Sequence, residues 1–154
     1  MQMRWTLTSP DGIGDFILRL PWLIKMQDAG WKLQILARAP TLELANLVGL
    51  DAEMVELSQN PYSIEPKSSF RPFIRDFKAI EKFRPHLIFL GPSQPTYLEE
   101  KITKKFLHVK KVGFYIKEGF WPSEGLENPR ELAMAYQDRV EVKLILSHLF
   151  FVKT

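Results

Sequence analysis

Two aspartates and two glycines stand together near the start of the chain, in the segment Asp11-Gly12-Ile13-Gly14-Asp15. Glycines in a strand-to-helix turn let a ligand come close to the backbone, and the free N–H groups at a helix start attract anions. A lone carboxylate there suits a phosphate site poorly, but it suits a site that removes a proton from a bound hydroxyl. We therefore expect the segment to be one half of such a site, with the other half missing from the chain.

The elements around this segment alternate between strand and helix. Alternating or continuous apolar runs predict strands at residues 4–8, 32–37, 53–57, 86–90 and 112–116. Helical spacing predicts helices at residues 15–29, at 41–48 with Thr41 as N-cap, from Phe70 until Pro85 stops it, and at 97–107. The first helix contains Pro21, which should kink it or delay its start. We expect it to pack on the sheet through Phe16, Ile17, Leu20, Leu23 and Ile24.

This order predicts an α/β fold, Rossmann-like and doubly wound, with a mostly parallel sheet of about five or more strands and helices on both faces. Ligands bind beyond the carboxyl ends of the strands in such sheets. The Asp11–Asp15 turn and the Gly91-Pro92-Ser93 turn both follow strands. We therefore expect the two turns to line one crevice.

The chain divides into residues 1–116, which carry the alternating pattern, and residues 117–154, which begin as an irregular loop and continue as a helix. The end, residues 144–152, is strongly apolar, so it must pack against this domain, a second copy or a missing partner.

Composition excludes several classes of site. The 154 residues suffice for one domain, and the lack of cysteine excludes disulfides, thiolate metal sites and a cysteine nucleophile. A net charge of +3 is no argument for nucleic acid. Neither a signal peptide nor a run of roughly 20 apolar residues is present, which points to the cytoplasm.

The glycine turn does not match the common nucleotide motifs. The dinucleotide fingerprint requires a third glycine where this chain has Ile17, and no acidic residue follows Ala37 to hold a ribose. A P-loop and a His-Glu-x-x-His pair are also lacking, and the histidines show no ligand spacing, so we expect neither cofactor nor metal. Five lysines between residues 101 and 111 form either a solvated helix face or an anion-binding patch of Lys101, Lys104 and Lys105.

The spacing from Gly14-Asp15 to Pro21 resembles the start of the ADP-heptose:lipopolysaccharide heptosyltransferases, glycosyltransferase family nine. Weaker likenesses follow in the family's order, over roughly residues 3–115: an Asn-Pro turn after the third strand, an Arg-Pro helix end before the fourth strand, and a Lys-Val-Gly-Phe strand, here residues 60–62, 83–90 and 111–114. His86 stands where the family usually has an aspartate. These enzymes look like two Rossmann-type halves in a GT-B architecture, and this chain resembles the N-terminal, acceptor-binding half.

The resemblance implies an inverting, metal-independent transfer of a sugar from a nucleotide sugar such as ADP-heptose to a glycan or lipid-linked acceptor. The family's general base is the aspartate of its Gly-Asp motif, which is Asp15 here, and Gly12, Ile13, Gly14 and Ser93 would contact the acceptor. The donor would bind a C-terminal half that this chain lacks, so we expect the chain alone to bind ADP or ADP-heptose weakly or not at all. It would work in lipopolysaccharide biosynthesis at the inner face of the bacterial inner membrane.

Three alternatives remain open from the residues. Asp15 can simply cap its helix. The chain can be a truncated, non-catalytic Rossmann-like module that binds a glycan or a protein partner, including a second copy of itself. It can also be an unrelated α/β nucleotide-binding protein.

Overall fold

A computed structural model describes residues 2–63, 70–92 and 96–113, together with the backbone of residues 126 and 127. These residues form one parallel sheet in the order β3-β2-β1-β4-β5-β6. Its strands are β1 (Arg4–Ser9), β2 (Lys32–Ala37), β3 (Ala52–Glu56), β4 (Leu87–Leu90), β5 (Lys110–Gly113) and β6 (Leu126–Glu127). The predicted Rossmann-like α/β class is confirmed.

Helices cover both faces of this sheet. They are α1 (Ile13–Asp28), α2 (Ala39–Leu47), α3 (Ile74–Phe83) and α4 (Tyr97–Lys105), with a short 3-10 turn at Arg71–Phe73 before α3. One core cluster joins α1 and α2 to one face, and a second joins α3 and α4 to the other. The sheet is therefore doubly wound, as the alternating sequence predicts.

The strand order reverses between β1 and β4. From β1 the chain moves outward through β2 to β3, and it then returns to place β4 on the other side of β1. A crevice opens at the carboxyl ends of the strands at such a reversal, because the connections leave in opposite directions. The end of β1 and the start of the turn after β4 meet at this reversal, where the N–H of Gly91 donates a hydrogen bond to the carbonyl of Thr8 (3.1 Å).

The two faces of the sheet differ in chemistry. The face under α1 and α2 is apolar, with Leu7, Ile35 and Phe89 in its core. The face under α3 and α4 includes buried polar side chains on the central strands: Thr6 donates a hydrogen bond to Gln34 Oε1 (2.8 Å) and Gln34 donates to Glu53 Oε2 (2.6 Å). Buried polar groups require such partners, because an unpaired one is costly.

Several predicted details of α1 and α2 are wrong. Helix α1 begins at Ile13 and runs through Pro21, and Ile17 and Ile24 are 50% and 40% exposed instead of packing on the sheet. Its buried side is formed by Phe16, Arg19, Trp22, Leu23 and Met26. Helix α2 begins at Ala39 after an Arg38 N-cap, and Thr41 is buried within it instead of capping it. The Pro40 ring is compatible with that early start, because a helix does not use the N–H of its first residues.

Among the described residues, no helix has the length and apolar character needed to cross a bilayer. The predicted strand residues 114–116 and the apolar end at 144–152 lie outside the described part of the chain.

Candidate functional site: the crevice between β1 and β4

Asp15 lies in the first turn of α1 and its side chain is exposed. The N-cap of α1 is Gly12, and no side chain makes a capping hydrogen bond there. The capping alternative for Asp15 is therefore not what the structure shows. Among the described residues Asp15 makes no ion pair. Asp15 is therefore a carboxylate that a ligand can reach from solvent.

The backbone beside Asp15 is open. A Cβ atom placed on Gly14 would meet nothing within 4 Å, and one on Gly12 would meet only Asp15 Oδ2, at 3.9 Å. Gly12 has an ordinary φ of −70°, so its conformation does not require glycine. Ile13 is 41% exposed on the same turn. Since neither strain nor crowding explains the two glycines, the free space beside them is available to a ligand.

Arg19 joins the two sides of the crevice. Its guanidinium forms a two-pronged ion pair with Asp11, with both N–O distances 2.7 Å. It also donates to Ser9 Oγ (2.7 Å) at the end of β1 and to the carbonyl of Gly91 (2.7 Å) after β4. Sequence reasoning missed this residue and treated Asp11 as a turn residue. The helical period places residue 19 on the same face as Phe16 and Leu23, but α1 is apolar on almost every side, so the period alone does not show that this face is the buried one.

Gly91 is closely packed between the end of β1 and Arg19. A Cβ atom on Gly91 would lie 2.3 Å from the carbonyl oxygen of Thr8 and 3.2 Å from Arg19 Cζ. Arg19 thus occupies the reversal point between β1 and β4, where dinucleotide-binding sheets place their ligand. This agrees with the absence of the dinucleotide fingerprint.

Glu99, in the first turn of α4, is completely buried beneath the crevice. Thr8 Oγ1 donates a hydrogen bond to its carboxylate (3.2 Å), and Thr96 Oγ1 donates another. Burial raises the pKa of Glu99 to about 7, although these hydrogen bonds oppose the shift. The sequence analysis did not single out Glu99. Because it is enclosed by protein, Glu99 supports the crevice from below.

Tyr62 stands near the same carboxylates from the connection after β3. Its N–H donates to Asn60 Oδ1 (3.1 Å), and the N–H of Ser63 donates to the Asn60 carbonyl (3.0 Å), which fixes the turn. The ring is 54% exposed. Partial burial raises the pKa of Tyr62 to about 12, with added contributions from the charges of Asp11, Glu99 and Asp15. Its phenol is therefore neutral and able to donate a hydrogen bond at the rim.

The remaining predicted site residues do not join this group. Ser93 lies outside the described residues. Lys101 is 2% exposed, with its ammonium 4.9 Å from the centre of the Tyr97 ring, so it does not belong to a surface patch. Lys104 and Lys105 pair with Glu100 (2.8 Å) and Glu81 (3.4 Å). The predicted patch is thus reduced to two lysines that already have anionic partners.

The described residues contain no cluster of three or more His, Asp or Glu side chains that could hold a metal ion. His86 has a structural role, because its Nδ1 accepts a hydrogen bond from the N–H of Arg4 (3.0 Å). His148 lies outside the described residues.

Comparison with known proteins leaves the site to be interpreted from its own chemistry. No protein-family model matches the chain, and it has no significant match among curated proteins or solved structures.

Proposed function

We propose that the chain is the acceptor-binding half of an inverting, metal-independent glycosyltransferase of the heptosyltransferase type, with Asp15 as general base. The observation that carries this proposal is the exposed, unpaired carboxylate of Asp15 beside the open backbone of Gly12 and Gly14. A hydroxyl-bearing ligand fits such a site better than a phosphate, because the nearby guanidinium of Arg19 is already bound by Asp11.

The reaction would proceed in one displacement. The acceptor hydroxyl oxygen attacks the anomeric carbon of the donor sugar, and its proton passes to the Asp15 carboxylate. The bond from the anomeric carbon to the phosphate oxygen breaks, and the nucleotide diphosphate leaves with that electron pair. No covalent enzyme intermediate forms, so the site requires no nucleophile besides the acceptor. The donor would be a nucleotide sugar such as ADP-heptose, and a second, C-terminal half of the GT-B architecture would hold it.

The surface of α1 favours an acceptor attached to a lipid. Ile13, Ile17 and Leu18 are 41%, 50% and 54% exposed in its first two turns, next to Asp15. Exposed aliphatic side chains grouped at the rim of a site are typical of contact with a partner or a membrane. They support a glycolipid acceptor presented at the inner face of the bacterial inner membrane, in lipopolysaccharide synthesis.

The same apolar side chains favour a second candidate, a non-catalytic module that binds a protein partner or a glycan. The two candidates differ in what they demand of Asp15. A transferase needs its carboxylate to accept a proton, whereas a binding module tolerates an amide of the same shape.

The experiment that separates them compares Asp15→Asn with Asp28→Asn in the complete protein. Asp28 is an exposed carboxylate at the far end of α1 and is the matched control. With ADP-heptose as donor and a lipopolysaccharide acceptor, Asp15→Asn should reduce transfer by about a hundredfold or more, the usual scale for the loss of a general base. Asp28→Asn should retain wild-type transfer. Unchanged transfer in Asp15→Asn would overturn the assignment.

A further inference from the structure

Arg19 and Asp15 are four residues apart on α1, the spacing at which opposite charges normally pair on a helix. They do not pair here. The guanidinium makes four hydrogen bonds at 2.7 Å, two of them to Asp11, and none goes to Asp15. The side chains of Arg19 and Asp11 are only 10% and 12% exposed, whereas Asp15 is open to solvent.

The consequence concerns the strength of the base. An arginine beside a carboxylate stabilises the charged form and makes the carboxylate a weaker proton acceptor. If Arg19 turned outward to Asp15, the guanidinium would occupy the space where an acceptor hydroxyl must approach. It would also lower the affinity of Asp15 for the proton it has to take.

We propose that Asp11 is a positioning residue whose ion pair withholds the Arg19 guanidinium from Asp15, so that the carboxylate of Asp15 remains free to meet an acceptor hydroxyl. The catalytic part of this inference rests on the proposed function; the structural part does not. Asp11 acts through Arg19 and does not itself contact the reacting groups. The short turn between β1 and α1 places Asp11 just after β1, where Ser9 Oγ also donates a hydrogen bond to its carboxylate (3.3 Å).

Other charged or titratable groups border the crevice from each element packed there. Glu99 lies beneath it on α4, and Tyr62 lies on the connection after β3, where the charges of Asp11, Glu99, Asp15 and Arg19 all act on its phenol. Neither makes a hydrogen bond to Arg19. Asp15 lies one helical turn before Arg19 on α1, and it is the expected new partner when Asp11 is removed.

The structural test is a crystal structure of the Asp11→Ala variant. We expect the Arg19 guanidinium to leave Ser9 and Gly91 and to lie within 4 Å of the Asp15 carboxylate, an ordinary helical ion pair. If the guanidinium stays in the crevice, the inference is overturned. If Asp11→Ala does not fold, Asp11→Asn, which keeps the side-chain shape, replaces it. A guanidinium near Asp15 again supports the inference, and one that stays in the crevice again overturns it.

The functional test measures sugar transfer by the complete protein, with ADP-heptose as the probe donor. Asp11→Ala should lower the rate about tenfold, because a paired Asp15 is a weaker base. The double variant Asp11→Ala/Arg19→Met should recover most of that rate, because the competing guanidinium is gone. Asp11→Glu, which keeps the charge, should remain close to wild type. A double variant as slow as Asp11→Ala, or slower, would show a purely structural role and would overturn the inference.

The two readouts separate this inference from the proposed function. A guanidinium that moves to Asp15 without any change in transfer supports the pairing and refutes Asp15 as the base. A guanidinium that does not move refutes the role of Asp11, whatever the effect of Asp15→Asn on transfer.

Discussion

The two helices that begin beyond the carboxyl ends of β1 and β4 carry a carboxylate at the same place. Asp15 is the third residue of α1, and Glu99 is the third residue of α4. Asp15 follows a glycine N-cap and is exposed, whereas Glu99 follows Thr96 and is completely buried under hydroxyl groups. A carboxylate at a helix start therefore becomes a candidate base or a structural group according to what encloses it.

The surroundings explain this difference. On α1 the glycines contribute no side chains, so nothing covers Asp15. On α4 the residue meets Thr8 from the central strand and Thr96 from its own N-cap. Arg19 links the two helix starts through Asp11 and the Gly91 carbonyl, so one buried cation braces both sides of the crevice.

The largest expected effect on stability comes from Gly91→Ala, which disrupts the contacts of Arg19 between the two helix starts. The added Cβ would lie 2.3 Å from the Thr8 carbonyl oxygen and would also displace the buried guanidinium of Arg19. Overpacking together with disruption of a buried charge should lower the free energy of unfolding by about 4 kcal/mol. Urea denaturation measures it. A variant as stable as wild type would mean that the two helix starts are not tightly joined.

Glu99→Gln tests the buried carboxylate of Glu99 through the pH dependence of the free energy of unfolding. The native carboxyl keeps its proton up to about pH 7, whereas the unfolded chain loses it near the ordinary pKa of 4.5. Wild-type stability should therefore fall as pH rises through this window, by about 3 kcal/mol, and then level off. The glutamine variant should lack this component of the pH dependence.

Urea denaturation at a series of pH values measures the difference, with Glu100→Gln as the neighbouring control, since that glutamate is partly exposed and pairs with Lys104. Identical pH dependence in wild type and Glu99→Gln would show that burial does not raise the pKa of Glu99, and that Glu99 does not differ from the exposed Asp15 in this respect.

Gly14→Ala has the smallest expected effect on stability, and it tests whether the open backbone beside Asp15 receives a ligand. Its Cβ would meet nothing within 4 Å, so the change should stabilise the protein by about 0.5–1 kcal/mol through helix propensity. Sugar transfer by the complete protein should nevertheless fall, because the new methyl group enters space reserved for the acceptor. Unchanged transfer would mean that no ligand approaches this backbone.

The sequence predicts the framework of this molecule well. Alternating periodicities locate the strands and helices, and the rule for parallel sheets places the turns after β1 and β4 at one edge. The failures concern where helices α1 and α2 begin and, above all, which side chains are buried. Helix α1 is apolar on almost every side, so its pattern does not reveal that Arg19 faces the sheet while Ile17 faces solvent.

Helix α4 shows the opposite problem. Its residues are mostly polar, which predicts a solvated surface, yet Glu99 and Lys101 are both buried. Thr8 provides Glu99 with a hydrogen-bond donor, and the rings of Phe70 and Tyr97 receive the ammonium of Lys101. Tyr97 lies one turn before Lys101 on α4, but Thr8 and Phe70 come from distant parts of the chain, and local periodicity carries no information about them.

A crystal structure of the protein with a bound lipopolysaccharide core oligosaccharide tests the central claim most directly. The proposal predicts a sugar hydroxyl at hydrogen-bond distance from an Asp15 carboxylate oxygen, about 2.6–3.2 Å, with the sugar ring over Gly12 and Gly14. An oligosaccharide bound at another edge of the sheet, with Asp15 left in solvent, would contradict it.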